Sequence, residues 1–174
     1  VRDVMPLLTP IGLDPAHPFP RVLNKSLNFM VTLSGDDAFG RKATIAVVQA
    51  PRALPRLIRM PTTVSGMPHS FILLTSLLRA FAGELFPGMI AHGVFQWRVT
   101  RNSDLFVDEE EVTNLRLALQ GELSQRNFGS AVRLELDQLT PPNIEALLQR
   151  EFDLSSVDTY RVQGPANISR LMQI

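Results

Sequence analysis

A chain of 174 residues, 45% apolar and 20% charged, has the size of one domain and enough apolar side chains to form a core without cross-links. Its 17 basic and 17 acidic residues cancel to a net charge of +0, which argues against a protein that holds nucleic acid or an acidic membrane surface by bulk charge. With no cysteine, a thiol nucleophile, a cysteine-ligated zinc and a disulfide framework are excluded, and a reducing, cytoplasmic setting fits.

Prolines at 6, 10, 15, 18 and 20 rule out a long helix over residues 1–24 and predict an extended arm laid over something else. Residues 26–33 then alternate, with Leu27, Phe29, Val31 and Leu33 on one side and Ser26, Asn28 and Thr32 on the other, as in a half-buried strand. The polar stretch Ser34–Gly40 predicts a turn, and Ala43, Ile45 and Val47 mark the second strand of a hairpin. Leu57-Ile58, among three prolines, reads as a short strand near an edge, and residues 62–70 as a loop.

Leu77, Leu78, Phe81, Ala82 and Leu85 recur at helical spacing, with Thr75 or Ser76 as the expected cap and Pro87-Gly88 as the stop. Phe95, Trp97 and Val99 alternate with polar residues in a further strand. Asp108 to Glu111 open a second helix, its inward stripe Val112, Leu115, Leu119 and Leu123. Val132, Leu134 and Leu136 form another strand, from which Arg133, Glu135 and Asp137 are expected to point outwards. Thr140 and Pro141 begin a third helix that turns Ile144, Leu147, Leu148 and Phe152 inwards, and the tail holds an extended piece at Tyr160–Val162 and a helical turn from Asn167. The expected fold is α+β: a mostly antiparallel sheet of about four to six strands with three main helices packed on it. Residues 25–174 make its body and 1–24 the arm.

No apolar run reaches the roughly 18 residues of a membrane span, and no leader pattern opens the chain. An opening on Val1 rather than Met leads us to expect a piece of a longer protein. Chemistry-bearing constellations are sparse. His17, His69 and His92 have no carboxylate or second histidine at metal-ligand spacing and read as surface or capping residues. The glycines form no phosphate-cradling pattern, and the acidic run Asp108–Glu111 suits a helix start better than a paired-carboxylate site.

Two basic groupings remain. Arg52, Arg56 and Arg59, with Arg41-Lys42 nearby, offer guanidinium forks for phosphate oxygens, although solvated charge along a sheet edge is the favoured reading. Arg98, Thr100, Arg101, Asn102 and Asp104 form the densest polar cluster, either a structural network with an Arg–Asp pair or a contact for phosphate or a neighbouring domain. Nowhere does the sequence assemble a nucleophile, a base and an orienting group.

The wording of several segments resembles the middle domain of polyphosphate kinases. They are Leu8-Thr9-Pro10, Asp14-Pro15-Ala16-His17-Pro18-Phe19-Pro20, Leu54-Pro55-Arg56-Leu57-Ile58-Arg59-Met60-Pro61 and Leu85-Phe86-Pro87-Gly88. Further on come Arg98-Val99-Thr100-Arg101-Asn102-Ser103-Asp104-Leu105, Phe128-Gly129-Ser130-Ala131-Val132-Arg133-Leu134-Glu135 and Tyr160-Arg161-Val162-Gln163-Gly164-Pro165. The blocks keep family order over nearly the whole chain, and departures such as Met60 and Trp97 are conservative.

The resemblance implies a cytoplasmic parent enzyme that reversibly moves the terminal phosphate of ATP onto inorganic polyphosphate, using magnesium and a phosphohistidine. It implies that the histidine lies in later domains, and that an N-terminal helical domain helps hold the nucleotide. The middle domain would pack between these and contribute to a homo-oligomer, with no cofactor, catalytic residue or metal ligand of its own. Arg52, Arg56, Arg59, Arg98, Arg101 and Asp104 are then candidates for interdomain or phosphate contact. A self-sufficient phosphate- or nucleotide-binding module built on the arginines is the alternative.

Overall fold

Apolar side chains at every second position need a covering surface on one side of a strand, and a strand apolar at successive positions needs one on each; the molecule supplies both. The computed structural model describes residues 4–14, 18–37, 40, 43–102 and 129–166. Eight strands lie in these stretches: β1 (Thr9–Gly12), β2 (Asn28–Ser34), β3 (Ile45–Gln49), β4 (Leu57–Arg59), β5 (Phe71–Leu73), β6 (Ile90–Arg101), β7 (Ala131–Asp137) and β8 (Thr159–Val162). Six form one sheet in the order β1-β3-β2-β6-β7-β8, and β4 with β5 makes a separate two-stranded sheet. The helices are a single turn, α1 (Thr62–Ser65), then α2 (Leu74–Phe81) and α3 (Pro142–Phe152). The α+β architecture expected from the pattern is therefore present, as a mixed sheet with helices on both sides. The helix expected from Asp108, the terminal turn from Asn167, and His17, Arg41, Lys42 and Asp104 fall outside the described residues.

β2 and β3 form the expected antiparallel hairpin. β2 is not half-buried, however: Phe29 and Val31 join the cluster under α2, while Met30 is 0% exposed in the cluster under α3. β3 divides likewise, Ala46 and Val48 towards α2, Val47 towards α3. A strand central to a sheet covered on both sides loses the polar–apolar contrast that marks a half-exposed one.

The proline-rich opening, residues 1–24, is extended in part but belongs to the body over its described residues. β1 pairs antiparallel with β3 at the sheet edge, where Pro10 is tolerated. Leu8 and Val22 are buried, and Phe19 packs at 6.1 Å from Trp97.

Two local expectations are corrected. α2 begins at Leu74, and Thr75 is no cap, because its hydroxyl is buried against the sheet. The three residues before the helix form β5, too short for an alternation to be read. α3 begins at Pro142 rather than Pro141, which stands just outside it as the capping residue. It buries Ile144 and Leu148, with Leu147 and Phe152 partly covered, as its apolar spacing requires.

α3 carries the chain from β7 back to β8, which lies parallel to β7; a parallel neighbour needs such a crossover. A one-turn 3-10 helix, Ser156–Asp158, sets the entry to β8. Asp158 accepts hydrogen bonds from the Ser155 hydroxyl at 2.6 Å and the Ser155 N–H at 3.0 Å. These two bonds favour the carboxylate and hold Asp158 below its ordinary value of 3.8. A depressed carboxylate adds stability above its unfolded value and loses it as pH falls through the folded one. The turn is therefore expected to loosen only below that ordinary value. Followed by NMR, the Ser155 amide should titrate with a midpoint below 3.8, and Asp158→Asn should abolish the transition.

Candidate functional site

The alternation that turns Trp97, Val99, Leu134 and Leu136 towards α3 turns Gln96, Arg98, Arg133, Glu135 and Asp137 towards α2. Sequence reading placed Arg133, Glu135 and Asp137 outwards. The structure instead buries the two carboxylate residues, at 8% and 5% exposure, because α2 and the chain after β8 close over that side.

A charged strip results. Arg98 Nη2 donates to Glu135 Oε1 at 2.9 Å, and Arg133 Nε donates to the same oxygen at 3.0 Å. The Arg133 guanidinium also lies 3.7 Å over the ring of Tyr160, the residue paired with Glu135 across β8. From α2, Arg79 reaches over β6, donating from Nε to the Val94 carbonyl at 3.2 Å and forming an ion pair with Asp137. The other Asp137 oxygen accepts the Leu139 N–H at 3.0 Å. Beside this, the Thr75 hydroxyl donates to Gln96 Oε1 at 3.1 Å, and Gln96 Nε2 donates to the Gly164 carbonyl. Among the described residues, two carboxylates and three guanidiniums thus tie α2, β6, β7 and β8 together. Such a strip can hold elements in register and meet an anionic or acidic surface through the half-exposed Arg79 and Arg133.

The arginines singled out from sequence do not converge. Arg52 is exposed and donates to the Asn24 carbonyl at 2.6 Å. Arg56 is buried just before β4, whereas Arg59, at the end of that strand, is exposed. Arg98 belongs to the strip, its described carboxylate partner being Glu135. Arg101 faces the opposite side of the sheet, where Nη1 donates to the Gly129 carbonyl at 2.9 Å and the guanidinium lies 5.4 Å from the centre of the Phe152 ring. Burial there lowers the Arg101 guanidinium from its usual range. Asn24 links two of the set, because its Oδ1 accepts the Arg101 N–H at 2.9 Å while its carbonyl receives Arg52. Asp104 lies outside the described residues.

The strip's other members, Arg79, Gln96, Glu135, Asp137 and Tyr160, were not singled out. Their only sequence signal is the charge alternation of Arg133, Glu135 and Asp137, which an exposed strand shows equally well.

Of the histidines, His69 sits in a loop at φ 58°, and His92 Nε2 lies 2.6 Å from Ser34 Oγ on the surface. Among the described residues no carboxylate orients that imidazole by a hydrogen bond, so the pair lacks the third member of a nucleophilic triad. No group of three or more His, Asp or Glu converges to hold a metal among the described residues. The seam beneath α2 is lined by Phe29, Val31, Val48, Leu78, Ala82, Leu85 and Val94, none of which offers a polar group. No helix among the described residues is long and apolar enough to cross a membrane.

Fold and site together define a sheet domain whose described charged groups are largely engaged in holding its own elements together. The chain belongs to the polyphosphate kinase middle domain family, whose model matches residues 1–174. It is 61% identical over 172 residues to the polyphosphate kinase of Paraburkholderia phytofirmans, covering 99% of this chain and 25% of that protein. To that of Burkholderia lata it is 60% identical, with the same coverage. The chain thus spans about a quarter of the length of these curated relatives. The crystal structure of polyphosphate kinase from Porphyromonas gingivalis shares the fold, with a TM-score of 0.72 at 17% identity over 99% of this chain and 23% of that one.

Proposed function

We propose that this domain is a non-catalytic part of a cytoplasmic polyphosphate kinase, a scaffold that docks against the other domains and contributes to homo-oligomer contacts. The parent enzyme then moves the terminal phosphate of ATP reversibly onto polyphosphate, with magnesium, through a phosphohistidine held outside this chain. Polyphosphate, ATP and the metal belong to the parent. The observation that carries this reading is the engagement of the strip: Arg79, Arg98 and Arg133 are each turned on a carboxylate of β7. Groups tied in this way fix the relative positions of helix and strands, a structural use of charge. The exposed arginines Arg52 and Arg59 and the half-exposed Arg79 and Arg133 are the contacts we assign to neighbouring domains.

The purified chain, incubated with magnesium and ATP labelled at the terminal phosphate, is expected to take up no label and to make no polyphosphate. Stoichiometric labelling of any of its histidines would overturn the proposal. Titration calorimetry with polyphosphate is likewise expected to show no saturable heat. Heat that disappears in Arg56→Ala with Arg59→Ala would favour the stand-alone phosphate-binding module instead.

A further inference from the structure

The small sheet ends in a tip whose apolar side chains face solvent. Val64 is 70% exposed, Met67 61% and Phe71 43%. The tip is built, not slack. The Met60 N–H donates to the Ser70 carbonyl at 2.8 Å, and Ser65 and Ser70 hydroxyls both donate to the Met67 carbonyl, at 2.9 and 3.2 Å. Gly66, at φ 69°, ends α1 in the left-handed conformation that lets the chain double back. Apolar groups held in one arrangement lose little freedom on binding, which is the property of an interface anchor.

Within the tip's own sequence, residues 57–73, the one Asp, Glu, Lys or Arg is basic, Arg59. Arg59 stands directly opposite Phe71 across the β4–β5 ladder, so the two side chains share a face. From Ala38 to Gly83 the chain has no aspartate or glutamate, against Arg41, Lys42, Arg52, Arg56, Arg59 and Arg79. In a chain of net charge +0, such a window means that its neighbourhood in sequence offers this surface no acid. The relatives are about four times as long as this chain, so most of the polypeptide that could supply it lies outside.

We propose that the β4–β5 tip, with Val64, Met67 and Phe71 as anchors and Arg59 beside them, docks into an apolar pocket with an acidic rim in the remainder of the parent polypeptide. This rests on the reading that the domain is one part of a larger kinase, and it names the surface and the chemistry of the contact.

Met67 reports on the contact directly. The chain is compared alone and as part of a full-length protein, in which it replaces the matching 172 residues of the Paraburkholderia phytofirmans polyphosphate kinase. Each is treated with dilute hydrogen peroxide, and Met67 sulfoxide is followed by peptide mass spectrometry. Met30, at 0% exposure, is the internal control for an intact core. Met67 is expected to oxidise about tenfold more slowly in the full-length protein, with Met30 protected in both. Val64→Asp and Arg59→Glu, each on an exposed side chain, should return Met67 in the full-length protein to the rate of the chain alone.

Equal rates of Met67 oxidation in the two settings would overturn the proposal. So would concentration-dependent protection of Met67 in the chain alone, which assigns the tip to a second copy. Sedimentation of the chain with phosphatidylglycerol vesicles, lost on Met67→Ser, would overturn it too, assigning the tip to a lipid surface. Labelling of the isolated chain by ATP would defeat the scaffold reading while leaving the oxidation result intact, so the two failures are distinguishable.

Discussion

Glu135→Leu alone is expected to destabilise the domain by about 3 kcal/mol, far more than an exposed ion pair is worth. The Glu135 side chain is 11% exposed and Arg98 16%, so the substitution removes the carboxylate that balances a charge largely withdrawn from water. Arg133, at 42%, keeps its hydration, and Arg133→Met should cost less than about 1 kcal/mol. Replacing the whole group, Arg98→Met with Glu135→Leu and Arg133→Met, should recover most of the loss, because the described carboxylate and both guanidiniums turned on it are then removed together. Urea unfolding of the three variants gives the comparison. A Glu135→Leu protein as stable as the parent would mean that the strip does not hold the sheet.

On the other side of the sheet, Trp97→Ala is expected to cost about 3–5 kcal/mol. Trp97 is 0% exposed and is flanked by Phe19 at 6.1 Å and Phe152 at 5.5 Å, with Phe19 and Phe152 themselves edge to face at 5.7 Å. The three rings join residues from before β2, from β6 and from the end of α3. Removing the central ring opens a cavity where three segments meet and cannot all move inwards together. Circular dichroism in urea is the suitable probe, since the substitution deletes the chain's one tryptophan. A loss below about 1 kcal/mol would show that Phe19 and Phe152 close the gap.

How far the sequence revealed these features depended on which surroundings each residue met. The alternation of Phe95, Trp97 and Val99, and that of Val132, Leu134 and Leu136, located β6 and β7, since period-2 spacing is a local property. The stripe Ile144, Leu147, Leu148 and Phe152 located α3 for the same reason. β1 and β5 escaped notice because four and three residues are too few for a period, and a proline in β1 reads as a break unless the strand is known to lie at an edge.

The charged strip was legible only as chemistry without position. Arg133, Glu135 and Asp137 alternate as they would on an exposed strand, and what buries the last two is Arg79 of α2 and the chain around Gly164, distant in sequence. Arg52, Arg56 and Arg59 looked like a cluster because they are close in sequence. The chain between them turns, leaving Arg56 buried between two exposed neighbours. The family wording supplied what periodicity could not, since ordered blocks along the whole chain are specific where each block alone is not.

Polyphosphate synthesis by the full-length protein carrying this chain is the measurement that separates packing from chemistry. With Arg98→Met and Glu135→Leu together, the largely buried pair of the strip, turnover is expected to stay within about threefold of the same protein without the changes, provided that its unfolding transition is retained. A fall of about a hundredfold or more in a protein that unfolds at the same urea concentration is the size expected when a group contacting the transition state is removed. That result would place the reacting phosphate against this domain and contradict its assignment as a scaffold.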